Sequence, residues 1–402
     1  MVPTQAGYHL LPNTLIFGRL LRYASRTPAR VVIDDVRSNH LRTRLELLSD
    51  VLALRETMLN TFGKSTMESL QRREEVFIVI VAAGGYEYTV AMHAVLALGA
   101  PVTPALLIEE ATYYVEKSES VLVLVSSSDL KKCCDLEKRI ATMSNERFRG
   151  VPIGPCTYTT LDPSAILISS NRALEENAPG VMISMSGTTG SPKASVIRRA
   201  FVFNCVLSVT DHYRITEDDV LLHVLPVHHV TGAGINVFSF LIFGSHIEPR
   251  SSGFEEAWKW KRWKEGAVSP HRWLTFFSGV PTIHILMRRH YQRVLYKLPP
   301  EELAKYIAGK GIVQRYGATE FSAVFMVSLD DKKVPTSFDI IKSNGYRIPV
   351  LGIERELLSL PYVAEVMTVG VVDEEFGQHV ATVISFQKED LADASLTCTW
   401  KR

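Results

Sequence analysis

Residues 75–98 read EVFIVIVAAGGYEYTVAMHAVLAL, and they contain two different patterns of apolar residues. Residues 75–83 are almost all apolar and rich in Val and Ile, which is typical of a strand covered on both faces. A pair of glycines breaks this run, and residues 86–98 then suit a helix that ends before Gly99. The stretch therefore predicts a strand followed by a helix.

A second apolar strand is predicted at residues 121–126 (VLVLVS), which completes a β-α-β unit. The same cycle is predicted again near residues 219–225 and 363–372. These patterns predict an α/β fold with parallel-rich sheets flanked by helices. The polar, patternless residues 388–402 are expected to form a loose tail.

The composition excludes several functional classes. The 402 residues carry 44 Lys and Arg against 43 Asp and Glu, so the formal net charge is +1 and no global field favours nucleic acid. No apolar run reaches the roughly 18 residues that a membrane-spanning helix needs. The segment 258–264 (WKWKRWK) could touch a membrane or nucleic acid, but we favour an amphipathic helix with its tryptophans in a core and its lysines in water.

Cysteine usage and the N-terminus bear on the compartment. The five cysteines form no CxxC pair, and their odd number without a secretory signal predicts reduced thiols inside the cell. We expect a cytoplasmic protein. Three arginines near the N-terminus (Arg19, Arg22 and Arg26) leave a mitochondrial location open, and a peroxisomal one also stays possible.

Residues 184–195 read SMSGTTGSPKAS and carry the strongest chemical signal. Small hydroxyl side chains, glycines that let the backbone approach a ligand, and one cation suit a polyphosphate. The residues that supply them are Ser186, Gly187, Thr188, Thr189, Gly190 and Lys193. The apolar residues 181–183 predict a strand that leads into this loop.

A second segment that contains glycine and lysine does not match a known phosphate-binding pattern. Residues 63–66 read GKST, but the Walker A pattern also needs a glycine five positions earlier, where this chain has Met58. The string is therefore not predicted to be a Walker A phosphate loop.

Five segments together resemble the AMP-forming acyl-CoA synthetases of the adenylate-forming superfamily. They are SGTTGSPK (186–193), PVHHVTG (226–232), GVPT (279–282), RYGATE (315–320), and DIIK through GYRI (339–348). They occur in the family's order, and the likeness covers roughly residues 10–386, closest to fungal malonyl- and fatty-acyl-CoA synthetases. It implies that a small carboxylic acid is joined to ATP, giving acyl-AMP, and then transferred to CoA, with Mg²⁺ as cofactor.

The resemblance also implies roles for single residues. Thr188, Thr189 and Lys193 would hold the β- and γ-phosphates, and Tyr316 with Gly317 would border adenine. Thr319 would contact the α-phosphate. The catalytic set implied in this way is Thr188, Lys193, Glu320 and His228.

The remaining implied roles concern metal, acid and domain movement. Glu320 would hold Mg²⁺. His228 or His229 would border the acyl pocket, and the GVPT segment, a strand end, would form part of its wall. Residues 342–348, with Lys342 and Gly345, would pivot a small domain between the two half-reactions.

The chain departs from the family pattern in length. The segment between Glu320 and Asp339 is much shorter than in the family, and neither the ribose-binding Asp nor the C-terminal adenylation lysine is recognisable. We therefore predict an incomplete large adenylate-forming domain (1–335), the remnant of a small α+β C-terminal domain (336–387) and the tail.

These departures leave alternatives open. The chain could be a catalytically dead nucleotide-binding pseudoenzyme, the product of a truncated gene model, or a ligase for the thioester half-reaction only. Malonate-specific members tend to carry an Arg where this chain has Leu286, which favours a fatty or aryl acid.

Overall fold

The computed structural model describes most of the chain. The described residues are 7–36, 40–141, 148–154, 159–185, 193–250, 254–269, 273–307, 315–318, 322–326, 340–343, 346–373 and 377–386. The chain divides into two compact units, Met1–Leu329 and Asp330–Arg402. The predicted tail lies outside the described residues.

Strands and helices alternate through the first unit. The strands are β1 (His9–Asn13), β2 (Val31–Asp35), β3 (His40–Thr43), β4 (Ile78–Val81), β5 (Val102–Ala105), β6 (Leu122–Val125), β7 (Arg149–Pro152), β8 (Ile166–Ala173), β9 (Pro179–Met185), β10 (Lys193–Arg198), β11 (Val220–His223), β12 (His246–Pro249), β13 (Phe276–Phe277), β14 (Arg315–Ala318), β15 (Ser322–Met326), β16 (Ile340–Ser343), β17 (Tyr346–Pro349), β18 (Val363–Asp373) and β19 (Gly377–Phe386). The α-helices are α1 (Leu15–Ala24), α2 (Arg44–Thr61), α3 (Lys64–Gln71), α4 (Tyr86–Leu98), α5 (Ile108–Ser118), α6 (Leu130–Ala141), α7 (Arg199–His212), α8 (Ser239–Ile242), α9 (Glu256–Val268), α10 (Pro281–Arg293), α11 (Pro300–Ile307) and α12 (Val350–Leu358).

A six-stranded sheet with the order β10-β9-β5-β4-β6-β7 forms the centre of the first unit. Strand β4 pairs in parallel with β5 and β6, so the predicted β-α-β unit is confirmed. All four residues of β4 are buried, and they alternate between two cores: Ile78 and Ile80 belong to one hydrophobic cluster, Val79 and Val81 to another. The sheet is therefore covered on both faces, as the continuous apolar run predicted.

Helix α4 spans the residues that the sequence predicted, Tyr86–Leu98. Its boundaries are set by glycines, since Gly85 is its N-cap at φ 89° and Gly99 its C-cap in the left-handed region at φ 82°. All of its side chains except Glu87 are buried. It packs against α2 and carries much of the core between the two sheets.

A second sheet has the order β13-β11-β12-β2-β3. Strand β11 pairs in parallel with β12 and with β13, which confirms the strand predicted near residues 219–225. Strand β12 continues in parallel to β2, and only β3 is antiparallel. The carboxyl ends of the parallel strands therefore meet at one edge of the sheet.

Helix α9 contains the aromatic and basic segment, and its packing corrects one expectation. Lys259 is 1% exposed and Arg262 is 2% exposed, whereas the three tryptophans are only partly buried. The expectation that the lysines face water is therefore wrong for Lys259. Arg262 is buried because both oxygens of Glu248 on β12 accept hydrogen bonds from it, and this pair joins the helix to the second sheet.

The described residues of the second unit form two hairpins and one helix. Strands β16 and β17 pair antiparallel, as do β18 and β19, and α12 packs on β18. The parallel cycle predicted near residues 363–372 is therefore wrong. Strand β19 begins at Gly377, directly after a short connection from Asp373, whereas a parallel crossover needs about a dozen residues or more.

Two further findings concern membranes and thiols. No helix within the described residues is both long and apolar enough to cross a membrane. In the described part of the chain, Cys133, Cys134 and Cys205 are not joined in disulfide bonds.

Candidate active site

The structure describes part of the predicted site. Lys193 and His228 are described with their side chains, and for Tyr316, Gly317 and Lys342 the strand placement is described. The other predicted residues lie outside the described ranges, and they are Ser186, Gly187, Thr188, Thr189, Gly190, Thr319, Glu320 and Gly345. Their roles stay predictions.

Lys193 occupies the first position of β10, opposite Met185, the last residue of β9. Strand β9 confirms the strand predicted before the loop, and it runs parallel to β5 through the pair Val181 and Val102. Met185 and Lys193 therefore lie at the carboxyl edge of the six-stranded sheet, where open α/β sheets bind ligands. Lys193 is exposed, so its ammonium is available to a ligand at this edge.

His228 follows β11 and is half-buried. The hydroxyl of Tyr88 donates a hydrogen bond to the carbonyl of the preceding Val227 over 3.4 Å. Burial and the neighbouring His229 lower the pKa of His228, and Glu110 partly opposes them. His228 is therefore neutral at pH 7 and acts as a hydrogen-bonding group without charge.

Glu110 connects His228 to the edge that carries Lys193. Its Oε2 accepts a hydrogen bond of 2.9 Å from the amide of Leu106, directly after β5. Strands β5 and β9 are neighbours, so Glu110 and Lys193 lie at the same edge of the six-stranded sheet. His228 follows β11 of the second sheet, and the charge of Glu110 acts on it.

A π-helix follows the two histidines over residues Thr231–Phe238. Such helices are rare and often occur at functional sites. Gly232 in its first turn lies so close to Pro226 that an added Cβ would stand 2.0 Å from the Pro226 carbonyl oxygen. Only glycine therefore permits this return of the chain.

The hairpin that contains Tyr316 packs against this region. Tyr316 on β14 pairs with Phe325 on β15. Strand β15 contacts both the π-helix and α7, the helix that follows β10 directly. The structure therefore brings the hairpin of β14 and β15, with residues 316–318 of the YGATE segment, next to the elements that continue from Lys193 and from His228.

The GVPT segment links β13 to α10, whose N-cap is Val280. We expected the GVPT segment to be the end of a strand. Strand β13 instead ends at Phe277, before the segment, and the segment itself begins a helix. The ammonium of Lys259 lies 3.3 Å from the centroid of the Phe277 ring. Burial lowers the pKa of His284 on α10, and Lys259 adds to this effect, whereas a hydrogen bond to Gly279 opposes it.

Sequence reasoning missed a group of buried polar side chains near these elements. His223, at the carboxyl end of β11, is 4% exposed, and neither of its ring nitrogens has a hydrogen-bond partner among the described residues. The pairing of Leu222 with Phe277 places it beside Ser278, whose hydroxyl lies 3.2 Å from Oδ1 of Asn236 on the π-helix. The sequence signal that could have identified His223 is a single histidine within an apolar strand.

One group of side chains within the described residues has the composition of a metal site. It consists of Asp34, His246 and Glu248. Both carboxylate oxygens of Glu248 accept hydrogen bonds from Arg262, each at 2.7 Å. The group is therefore explained by a buried ion pair, and we do not assign a metal to it.

Comparison with known proteins finds a matching family model and several similar proteins. A family model described as AMP-binding enzyme matches residues 65–358. The mitochondrial malonate–CoA ligase ACSF3 of Mus musculus is 22% identical, over 96% of this chain and 84% of the mouse protein. A malonate–CoA ligase of Arabidopsis thaliana is 24% identical, over 67% of this chain and 61% of its own length.

A fungal relative and two solved structures complete the comparison. The acyl-CoA ligase oryP of Aspergillus oryzae is 27% identical, over 75% of this chain and 51% of its own length. Apo MatB from Rhodopseudomonas palustris superposes with a TM-score of 0.60 at 15% identity, covering 95% of this chain and 89% of MatB. A malonyl-CoA ligase complex with methylmalonyl-CoA and AMP gives 0.57 at 19% identity, covering 91% of each chain. These two likenesses establish the fold.

Proposed function

The chain belongs to the family of AMP-binding enzymes, the AMP-forming acyl-CoA synthetases, and from this premise we propose that it activates a carboxylic acid with ATP and transfers the acyl group to CoA. The acid's carboxylate attacks the α-phosphorus of ATP, which gives acyl-AMP and pyrophosphate. The thiolate of CoA then attacks the acyl carbon, and AMP leaves. The chain is thus an acid–thiol ligase.

Lys193 is the described residue that supports this proposal most directly. Its place at the carboxyl edge of the sheet suits a group that neutralises phosphate charge. Together with Thr188 and Thr189 it holds the β- and γ-phosphates, so that the negative charge on the leaving pyrophosphate meets a fixed cation.

The YGATE segment supplies the other half of the nucleotide site in this proposal. Tyr316 stacks on adenine beside Gly317, and Thr319 contacts the α-phosphate. The carboxylate of Glu320 has the hard oxygen chemistry that Mg²⁺ prefers, and the ion offsets charge on the phosphates. The contacts of β15 with α7 and with the π-helix support this assignment, because they place the hairpin beside the elements that follow Lys193 and His228.

His228 borders the acid in this proposal. Its lowered pKa keeps the ring neutral, so that it positions the acid by hydrogen bonding without holding the carboxylate as a salt bridge. A carboxylate that is not held by a cation stays more nucleophilic. Lys342 and Gly345, in the second unit, belong to the segment that pivots between the half-reactions.

The pairing of Lys193 with Met185 at the carboxyl edge is the observation that carries the proposal. The test is pyrophosphate release from ATP and Mg²⁺ with malonate, methylmalonate, benzoate and octanoate, followed by detection of the CoA thioester by mass spectrometry. We expect release with at least one acid, and its loss in Lys193→Ala. Folded wild-type protein that binds ATP but releases no pyrophosphate with any acid would contradict the proposal and favour a non-catalytic nucleotide-binding protein.

The acid and the compartment are finer proposals. Leu286 is half-buried on α10, and the two arginines that follow it are exposed, which supports a fatty or aryl acid over malonate. The mouse relative is named mitochondrial, and we propose the same compartment for this chain. Fractionation of cells that express the tagged chain tests the location.

A further inference from the structure

The carboxyl ends of β11 and β13 form a crevice in the second sheet. The two strands are parallel neighbours, but the helices that follow them lie on opposite faces of the sheet. The π-helix after β11 packs on the face that carries Leu221 and Phe276, whereas α10 after β13 packs on the face that carries Phe277. Open α/β sheets bind ligands in the crevice where the connections of neighbouring strands diverge in this way. The topology therefore marks the ends of these two strands as a ligand site.

His223 lies at this crevice, on the face that carries the π-helix. It follows Leu221 by two positions, so the two side chains point to the same face of β11. The register of β11 and β13 places Ser278, directly after β13, beside it. The Ser278 hydroxyl donates a hydrogen bond of 3.2 Å to Oδ1 of Asn236 on the π-helix. His223, Ser278 and Asn236 therefore form a polar cluster between the two strand ends and the π-helix.

The imidazole of His223 is an independent sign of a ligand. The residue is 4% exposed, and neither ring nitrogen has a hydrogen-bond partner among the described residues. Buried polar groups nearly always have a partner, so a molecule that enters the crevice is expected to supply one. Burial lowers the pKa of His223 to about 4, so the ring is uncharged at pH 7. It therefore recognises its partner by hydrogen bonding and not by charge.

The donors and acceptors of the cluster suit a hydroxyl group. A neutral imidazole has one N–H donor and one acceptor nitrogen. The Ser278 hydroxyl donates to Asn236, so its oxygen can accept a further hydrogen bond. A hydroxyl group on a ligand accepts from the imidazole N–H and donates to Ser278 at the same time, whereas a ketone can only accept. A carboxylate would bring a buried charge that the neutral ring cannot offset.

The crevice adjoins the proposed acid pocket. His228 follows His223 by five positions, and the GVPT segment begins at Gly279, directly after Ser278. Both of these segments border the acid in the proposed function. An acid in that pocket therefore lies next to the crevice.

We propose that His223 is a specificity-determining residue of the ligase, and that its imidazole and the Ser278 hydroxyl together bind a hydroxyl group on the fatty or aryl part of the acid. This inference rests on the proposed function, because it concerns the acid of that same site. The ligase prefers a hydroxylated acid to the same acid without the hydroxyl, since the unsubstituted acid leaves the buried imidazole without a partner. It also disfavours malonate, whose second carboxylate is charged.

The test is calorimetric binding of matched acids to the full chain in the presence of a non-hydrolysable ATP analogue. One arm compares benzoate with meta- and para-hydroxybenzoate, and the other compares octanoate with ω-hydroxyoctanoate, so that the arms distinguish an aryl from a fatty acid. In one arm we expect the hydroxylated acid to bind about tenfold more tightly, the scale of one buried polar group left without its partner. His223→Met should reduce this ratio to about one, because methionine has a similar size but no N–H.

Two further variants separate recognition from a structural effect. Ser278→Ala removes the accepting oxygen and should also reduce the ratio. His246→Met replaces a half-buried histidine at the amino end of the neighbouring strand β12, and it should keep the wild-type ratio. Circular dichroism and thermal unfolding should show that every variant is folded.

Equal binding of the hydroxylated and unsubstituted acids in both arms, by folded wild-type protein, would overturn the proposal. Binding of none of the acids would overturn it as well, and so would a ratio that His223→Met leaves unchanged. Preferential binding of a hydroxylated acid without pyrophosphate release would contradict the ligase activity alone, and the assignment of His223 would stand.

Discussion

Arg262 and Glu248 form a bidentate ion pair in which Nε and Nη2 of the arginine each lie 2.7 Å from a different carboxylate oxygen. The two side chains are 2% and 5% exposed, so neither charge has water as an alternative partner. The pair links α9 to β12, and α9 also packs against α10, the helix that the GVPT segment begins.

Glu248→Ala should destabilise the protein strongly, because it leaves the arginine charge buried without its carboxylate. We expect the free energy of unfolding to fall by about 3–5 kcal/mol in urea denaturation. The double variant Glu248→Leu with Arg262→Met should recover most of this loss, since apolar side chains of similar size replace the pair. Losses that simply add in the double variant would show that the two charges are not coupled.

Gly232→Ala should disrupt the first turn of the π-helix. The added Cβ would stand 2.0 Å from the Pro226 carbonyl oxygen, a backbone atom that cannot move without shifting the histidine segment. We expect a loss of stability of more than about 2 kcal/mol, together with loss of ligase turnover. Thermal unfolding and pyrophosphate release measure the two effects.

Gly18→Ala is the matched control for this substitution. Gly18 lies within α1, and no atom stands within 4 Å of the position of an added Cβ. Alanine in a helix is favoured over glycine by about 0.5–1 kcal/mol, so this variant should be slightly more stable than the wild type. Equal effects of the two substitutions would contradict the steric explanation.

Two buried histidines should make stability depend on pH. Burial lowers the pKa of His93 and of His223 to about 4, from an ordinary value of 6.5. The unfolded chain therefore binds more protons than the folded one between these values, and stability is lost as the pH falls from about 6.5 to about 4. Each histidine accounts for a loss of about 2 kcal/mol between pH 7 and pH 5.

His93→Met isolates one of these contributions with an apolar side chain of similar size. Urea denaturation of the variant and the wild type at pH 7, 6 and 5 should show a flatter pH dependence in the variant. His223→Met should have the same effect independently. Parallel curves for wild type and both variants would mean that folding does not shift the pKa of either ring.

Lys193→Ala should weaken ATP binding by about tenfold in calorimetry, because it removes the cation at the carboxyl edge of the six-stranded sheet. Arg198→Ala, at the other end of β10, also removes an exposed cation and should change the affinity little. ATP affinity that is insensitive to Lys193 would count against the assignment of the phosphate loop.

Local signals predicted the elements whose ends are fixed by backbone chemistry. The sequence predicted both ends of helix α4 correctly, because a glycine flanks the helix on each side. Both glycines have positive φ values, which other residues adopt only with strain. The all-apolar run of β4 predicted a strand covered on both faces, and the two clusters of core residues explain why. The phosphate loop and YGATE were predicted by motif alone.

Pairings between distant residues could not be predicted in the same way. The amide of Tyr86 donates to Asp35 of the second sheet, 51 positions earlier, and no local pattern encodes this contact. The burial of Lys259 was missed because a lysine in an amphipathic pattern is assigned to water unless an aromatic ring such as Phe277 is known to face it. The direction of β18 was wrong because an apolar run does not reveal the length of the connection that follows it.

The contact between Asp35 and Tyr86 has a consequence for how the protein would bind a nucleotide. The carboxylate already fills the amino end of α4, the place at the first strand-to-helix turn where many nucleotide-binding folds hold a phosphate. In the proposed site, the triphosphate would therefore be held by the phosphate loop and by Lys193, a cation open to water. Mobile ions shield such a charge readily, so affinity for ATP should decline as ionic strength rises.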